Sequence, residues 1–97
     1  MKYNIPERVQ QDICRYAEKN GIEKVILFGS RARGTHTDRS DVDIAVYGDN
    51  FDGFYWDINE NVNSLLLFDV LDLHTGSSQE LREEIERDGI SIYEKAR

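Results

Sequence analysis

Between Asp41 and Tyr47 the chain reads DVDIAVY, and this alternation restricts the local fold more than any other feature. Successive side chains of a strand point to opposite faces. Val42, Ile44 and Val46 therefore share one face, while Asp41, Asp43 and Ala45 share the other. Such a strand has a core side and a chemical side. The core side needs a partner layer, and the preceding sequence supplies one. After Pro6, Val9, Ile13, Tyr16 and Ala17 recur at helical spacing until Asn20-Gly21, which predicts a first helix with one apolar face. Lys24 to Phe28, KVILF, is short, β-branched and apolar and stops at Gly29, the pattern of a buried strand.

Beyond the alternating run, residues 48–53 read as a turn-rich connection. Ile58, Val62 and Leu65 then follow at spacings of four and three, predicting a helix over 54–64. Leu65 to Leu73, LLLFDVLDL, is the most apolar run and is expected to be a central strand. Ser77-Ser78-Gln79-Glu80 matches a capping box, with Leu81 and Ile85 on one face and Asp88-Gly89 as the stop. Ile90 to Tyr93 closes the pattern as a short strand. The alternation of helix and strand signals places the chain in the α/β (α+β) class. Its 97 residues suit one domain, 1–97, with a modest core.

Twelve basic residues against nineteen acidic ones leave a net charge of −7. Phosphate contacts supply most nonspecific affinity for polyanions, so this balance disfavours duplex nucleic acid. It accommodates a basic or neutral protein, or a nucleotide arriving with metal ions. Residues 1–7 lack a signal-peptide run, and no stretch approaches the roughly 20 apolar residues that span a bilayer. A cytoplasmic location without membrane association is the expectation. Cys14 stands alone, so it has no internal disulfide partner and no companions at metal-site spacing, and it is read as a packing residue.

Asp41 and Asp43, two apart on a strand, have α-carbons roughly 6.5 to 7 Å from each other. Their carboxylates can converge on one or two hard cations. Upstream, Gly29 ends a buried strand, and Ser30 with the following amides can open a short helix or nest that admits a phosphate. An anion site beside a cation site is what a nucleoside triphosphate bound through magnesium requires. Two alternatives fail. Gly29 and Gly34 have P-loop spacing, yet Thr35 stands where that loop needs lysine. Asp38, Asp41 and Asp43 lack the glycine and distal glutamate of an EF-hand.

A third carboxylate is sought in the apolar run. If Leu66, Phe68 and Val70 fill the core, then Leu67, Asp69 and Leu71 lie opposite. Asp69 thus joins Asp41 and Asp43, whereas Asp72 points the other way. Arg31, Arg33 and Arg39 either neutralise triphosphate charge or balance the local aspartates at the surface, Arg31 being the first candidate for a ligand. His36 and His74 read as solvated loop residues. Tyr47, Phe54, Tyr55 and Trp56 form an aromatic group, suited to a base or partner surface but more often used in packing.

Gly29-Ser30, ten intervening residues and Asp41-Val42-Asp43, in the wording FGSRARG and SDVDIAV, resemble the signature of the DNA polymerase beta nucleotidyltransferase superfamily, especially its minimal members. The resemblance spans Lys24 to Asp72. It implies a small mixed β-sheet backed by helices, with Gly29 and Ser30 at the triphosphate, joined by Arg31 and Arg33. It also implies that Asp41 and Asp43 coordinate two Mg2+ ions, with Asp69 as the third carboxylate, acting on the metal that activates the incoming hydroxyl or as a base. The reaction implied is transfer of a nucleoside monophosphate, AMP from ATP, with release of pyrophosphate. Larger relatives carry acceptor-binding domains, and the expectation for these 97 residues is that none is included. The resemblance therefore implies a small helical partner of the HEPN or substrate-binding type, as in toxin–antitoxin pairs where a partner tyrosine receives AMP. Self-association is a further possibility for a core this small. The competing expectation is a binding-only antitoxin that neutralises its partner by occlusion and needs no catalysis.

Overall fold

Pro6 opens the first helix of the computed structural model, which describes residues 4–62 and 64–95. Helix α1 (Glu7–Lys19) turns Val9, Ile13 and Ala17 inward at intervals of four, the stripe predicted from spacing. It hands over at Asn20-Gly21 to strand β1 (Ile22–Phe28), which begins two residues earlier than KVILF because Ile22 is itself fully buried. A one-turn helix α2 (Ser30–Arg33) follows, then β2 (Val42–Gly48), α3 (Phe51–Asn61), β3 (Phe68–Asp72), α4 (Gln79–Asp88) and β4 (Ile90–Glu94).

The strands form one sheet in the order β3-β2-β1-β4. β1 runs antiparallel to both β2 and β4, and β2 runs parallel to β3, so the sheet is mixed as expected. Apolar alternation gives it two unequal faces. Val25, Leu27, Val42, Ile44 and Val46 point into the main core with Ile13 of α1 and Phe54 and Ile58 of α3. Phe28 and Ala45 point to the opposite face, where Ile85 of α4 covers them in a small second cluster joined by Leu81. The chemical face of β2 is thus half roofed by α4.

Three expectations shift. α3 starts at Phe51, three residues early, because the Asn50 side chain caps it by accepting from the Gly53 amide at 3.1 Å. Gly53 suits that first turn: a Cβ there would overlap the Asn50 and Asn20 side chains. At α4 the cap is Ser78, whose hydroxyl accepts from the Leu81 amide at 3.2 Å. Leu81 then occupies the third helical position, so Glu80 completes no capping box. Most consequentially, the LLLFDVLDL run is an edge strand rather than a central one. Its continuous apolarity mimics a strand buried on both sides, but the strand proper begins at Phe68, and Leu65 and Leu67 ahead of it are exposed.

A polar cluster ties α1 to α3. Asp57, only 5% exposed, accepts from Asn20 Nδ2 and Asn61 Nδ2, each at 2.9 Å, and pairs with Lys19 Nζ at 3.2 Å. The Asn20 hydrogen bond, helped by Lys19 and Asn61, holds the Asp57 carboxyl below the usual aspartate range against the opposing effect of burial. A carboxyl so lowered stabilises the fold above its unfolded pKa of about 3.9, and that contribution fades as pH falls towards the folded value. Asp57→Asn is therefore expected to be less stable than wild type at neutral pH, with a gap that narrows as pH falls below about 3.9. Urea titrations across that range check this; a stability gap that is the same at every pH refutes it.

Candidate active site

Sheet register builds the site. Phe28 pairs with Asp43, and Asp43 pairs with Asp69 on its other side. The turn after Phe28, the first carboxylate strand and the third carboxylate strand therefore meet at one end of the sheet, on the face away from the main core. Parity holds on β3: Val70 is buried in the core while Asp69 is exposed. Asp72 ends β3, and its Oδ1 accepts from the His74 amide of the following turn at 2.9 Å. Asp41 is exposed and immediately precedes β2.

Gly29 links the two halves of the motif. Its φ of 74° lies in the left-handed region that side chains disfavour, and a Cβ at this position would overlap the Asp43 carboxylate. The backbone of the turn and the carboxylate are in close approach that only glycine permits. Ser30 opens α2 beside it, and the amides of Ala32 and Arg33 both donate to the Gly29 carbonyl at 3.1 Å, fixing the turn's shape.

Electrostatics mark Asp43 as the strained member. Burial raises its carboxyl above the ordinary range, and the charges of Asp69, Asp41 and Glu84 raise it further, while Arg33 works in the opposite direction. Crowded hard-oxygen donors with an uncompensated negative charge are the chemistry that a divalent cation satisfies. Among the described residues no three or more His, Cys, Asp or Glu already form a metal-holding cluster. Asp43 and Asp69 are thus paired across the strands, with Asp41 just ahead of β2, without forming a closed ligand set.

The arginines separate sharply. Arg31, expected at the triphosphate, is 4% exposed and faces the other way. Its guanidinium donates to the carbonyls of Ser40 at 3.0 Å, Asn4 at 2.8 Å, Asp38 at 3.3 Å and Thr37 at 3.4 Å. The expectation of a phosphate ligand is corrected: with its donors on main-chain carbonyls, Arg31 clasps the loop that delivers Asp41. Arg33 is exposed at the site, with Nη1 3.2 Å from Glu84 Oε2 of α4. Glu84 escaped the sequence reading because only the fold brings α4 across the carboxylate face.

The remaining candidates scatter. His36 lines a cavity and its Nδ1 is enclosed without a hydrogen-bond partner, so it is not simply solvated. His74 is stacked on Tyr47 with ring centroids 4.3 Å apart. The aromatic group does not assemble: Phe54 is core, Tyr55 leans on Phe51, and Trp56 is exposed. Cys14 is half-buried, with its thiol 3.5 Å from the Ile92 carbonyl and pushed up by burial, as a packing residue should be.

Comparisons with known proteins give the family. The family model described as "Polymerase beta, Nucleotidyltransferase" matches residues 11–97. The chain belongs to that family. As a nucleotidyltransferase it shares 61% identity over 28 residues with a provisionally named protein adenylyltransferase of Methanocaldococcus jannaschii. That match covers 29% of this chain and 28% of the relative's length. Among solved structures, a toxin-antitoxin crystallised with AMP-PNP superposes with a TM-score of 0.68 at 26% identity, over 89% of this chain and 73% of the other. A variant of the toxin-antitoxin MntA-HpeT gives 0.65 at 26% identity, over 89% and 72%. A nucleotidyltransferase fold from Sulfolobus solfataricus gives 0.59 at 22% identity, over 92% and 79%. No helix among the described residues is long and apolar enough to cross a membrane.

Proposed function

We propose that this nucleotidyltransferase moves AMP from ATP onto a hydroxyl of a protein partner, a small helical protein of the HEPN type in a toxin–antitoxin pair. The observation that carries the reading is the register Phe28–Asp43–Asp69 with Gly29 packed against the Asp43 carboxylate. It sets a turn without a side chain, of the kind a phosphate can approach closely, beside two aligned acids. The AMP-PNP complex and the toxin–antitoxin context of the similar structures, and the adenylyltransferase name of the curated relative, support the choice of donor and acceptor class.

In this reading Asp41, Asp43 and Asp69 hold two Mg2+ ions. Magnesium, when bound, supplies Lewis-acid stabilisation of phosphate oxygens and makes an acceptor hydroxyl a better nucleophile. The chain's own groups do the rest. Gly29 and Ser30 would take the triphosphate at the turn, with the Ser30 hydroxyl donating to one of its oxygens. Arg33 exchanges its half-exposed contact with Glu84 for a phosphate oxygen, a charge-assisted bond of greater worth than a surface ion pair. Asp69, exposed and beside Asp43, faces the side from which an acceptor arrives and orients its hydroxyl. The α-phosphorus–oxygen bond to the acceptor forms as the bond to pyrophosphate breaks, and the hydroxyl proton leaves to a carboxylate or water.

The test is incubation with magnesium and each nucleoside triphosphate in turn, alongside the product of the neighbouring reading frame, followed by intact mass. A gain of one or more AMP units on the partner, with ATP as donor, is the expected result. A stable complex with no mass change under any triphosphate overturns transfer and leaves a module that acts by occlusion.

A further inference from the structure

An exposed apolar surface lies just ahead of β3, near the end of the sheet that carries the candidate site. Leu65 is 103% exposed and Leu67 is 71% exposed, although both sit in the segment that sequence patterning assigns to the interior. Leu65 borders two depressions. One, of about 680 Å³, is bounded by Ile5 and Pro6 on one side and by His36 and Asp38 on the other. The second, of about 300 Å³, lies against Ile58 and Val62. Isolated exposed leucines need no explanation, but exposed leucines joined to concave apolar ground mark contact surfaces.

Two further observations connect this surface to the chemistry. The Val42 amide donates to the Leu67 carbonyl at 2.8 Å, so Leu67 lies directly against the start of β2, next to Asp41 and two residues before Asp69. Moreover, His36 Nδ1 is the one buried side-chain polar atom among the described residues that lacks a hydrogen-bond partner, and His36 lines the larger depression. An enclosed polar atom without a partner is costly. Because that atom has no accessible surface, a docked molecule relieves the cost only by drawing the His36 ring towards the depression.

Charge says what kind of molecule docks. Asp38 lines the larger depression, the adjoining Arg31 guanidinium is committed to main-chain carbonyls, and the chain as a whole carries a net charge of −7. We propose that the Leu65–Leu67 surface is the acceptor dock: it seats a protein that presents apolar side chains within a basic rim and leads the acceptor hydroxyl towards Asp69. The inference rests on the transfer function proposed above, whereas docking itself is measurable without catalysis. The apolar anchors fill the two depressions and the basic rim meets Asp38, which leaves Asp41 and Asp69 to the metal and the β3 edge beside the incoming chain.

The experiment uses the full chain and the product of the neighbouring reading frame, with the Leu65→Ser/Leu67→Ser double variant, His36→Phe and Asp38→Asn. Complex formation is followed by calorimetry and ATP binding is followed separately. Because the leucines are exposed, the double variant is expected to fold normally. It should lose complex affinity by about 10-fold or more, as truncated interface anchors do, and ATP affinity should stay within about two-fold, because neither leucine side chain holds metal or triphosphate in the proposed site. His36→Phe and Asp38→Asn should each weaken the complex, the latter less so at high salt. Unchanged complex affinity in the double variant overturns the proposal, and so does a wild-type chain that forms no complex. Sedimentation showing that the patch instead joins two copies of this chain overturns it in favour of self-association. A patch-dependent complex without AMP transfer upholds the dock while refuting the transferase reading.

Discussion

Asp43→Asn is expected to cut AMP transfer by at least about 10²–10⁴-fold, the range that a positioned ionisable group contributes to a reaction. The same variant should melt at a higher temperature than wild type at neutral pH. Both results follow from one arrangement. Asp43 is half-buried beside Asp69 and Asp41 with Glu84 near, and together these raise its carboxyl above the ordinary range. The folded state therefore holds the proton more tightly than the unfolded chain does. Such a group lowers stability as pH rises through the window between its unfolded and folded values, and the loss persists above that window. Removing the charge removes the penalty. The variant's advantage in melting temperature should accordingly be present at pH 7 and vanish below about pH 3.9, where both chains are neutral at this position. Thermal melts at several pH values, run beside the mass assay, separate lost chemistry from lost folding. A variant that transfers AMP at the wild-type rate takes Asp43 out of the reaction. One that melts lower at pH 7 contradicts the crowding that the structure shows. The expected trade of stability for function is the familiar one at sites built from like charges.

Local periodicity made much of this site legible. Parity along DVDIAVY and LLLFDVLDL depends only on a side-chain repeat of two, so the common face of Asp43 and Asp69 could be read without knowing the fold. The register that sets them side by side could not, because strand order depends on contacts distant in sequence. The same limit explains β3. An apolar run carries no label for edge or centre, and its leading leucines belong to the surface. Glu84 was invisible for a related reason: Leu81 and Ile85 announce the packed face of α4, but not which strand face it covers. His36 was read as a loop residue, correctly as to location, though nothing in its neighbours signals that Ser64, Leu65 and Leu66 close over the same cavity.

Arg31 and Arg33 make the sharpest contrast, and a pair of substitutions should expose it. Arg31→Met is expected to destabilise the fold by about 3 kcal/mol, since it strips a charged donor from several carbonyls at once. For a domain this small that loss lowers the melting temperature by about 12–24 °C. Arg33→Met should change stability by less than about 1 kcal/mol, because its bond to Glu84 is a half-exposed ion pair, but it should weaken ATP binding by about 10-fold through loss of one charge-assisted phosphate contact. The sequence held a hint of this division. Residues two apart on a helical turn lie about 200° around the axis from each other, so one of the two had to face away from whatever the other faces. Which one turned inward was decided by the loop of residues 37–40, whose carbonyls point back at α2 and need a donor with several arms. Calorimetric titration of ATP into both variants, with melts of each, reads the two roles independently. If Arg31→Met melts like wild type and loses ATP affinity instead, the clasp is wrong and its guanidinium reaches the triphosphate after all.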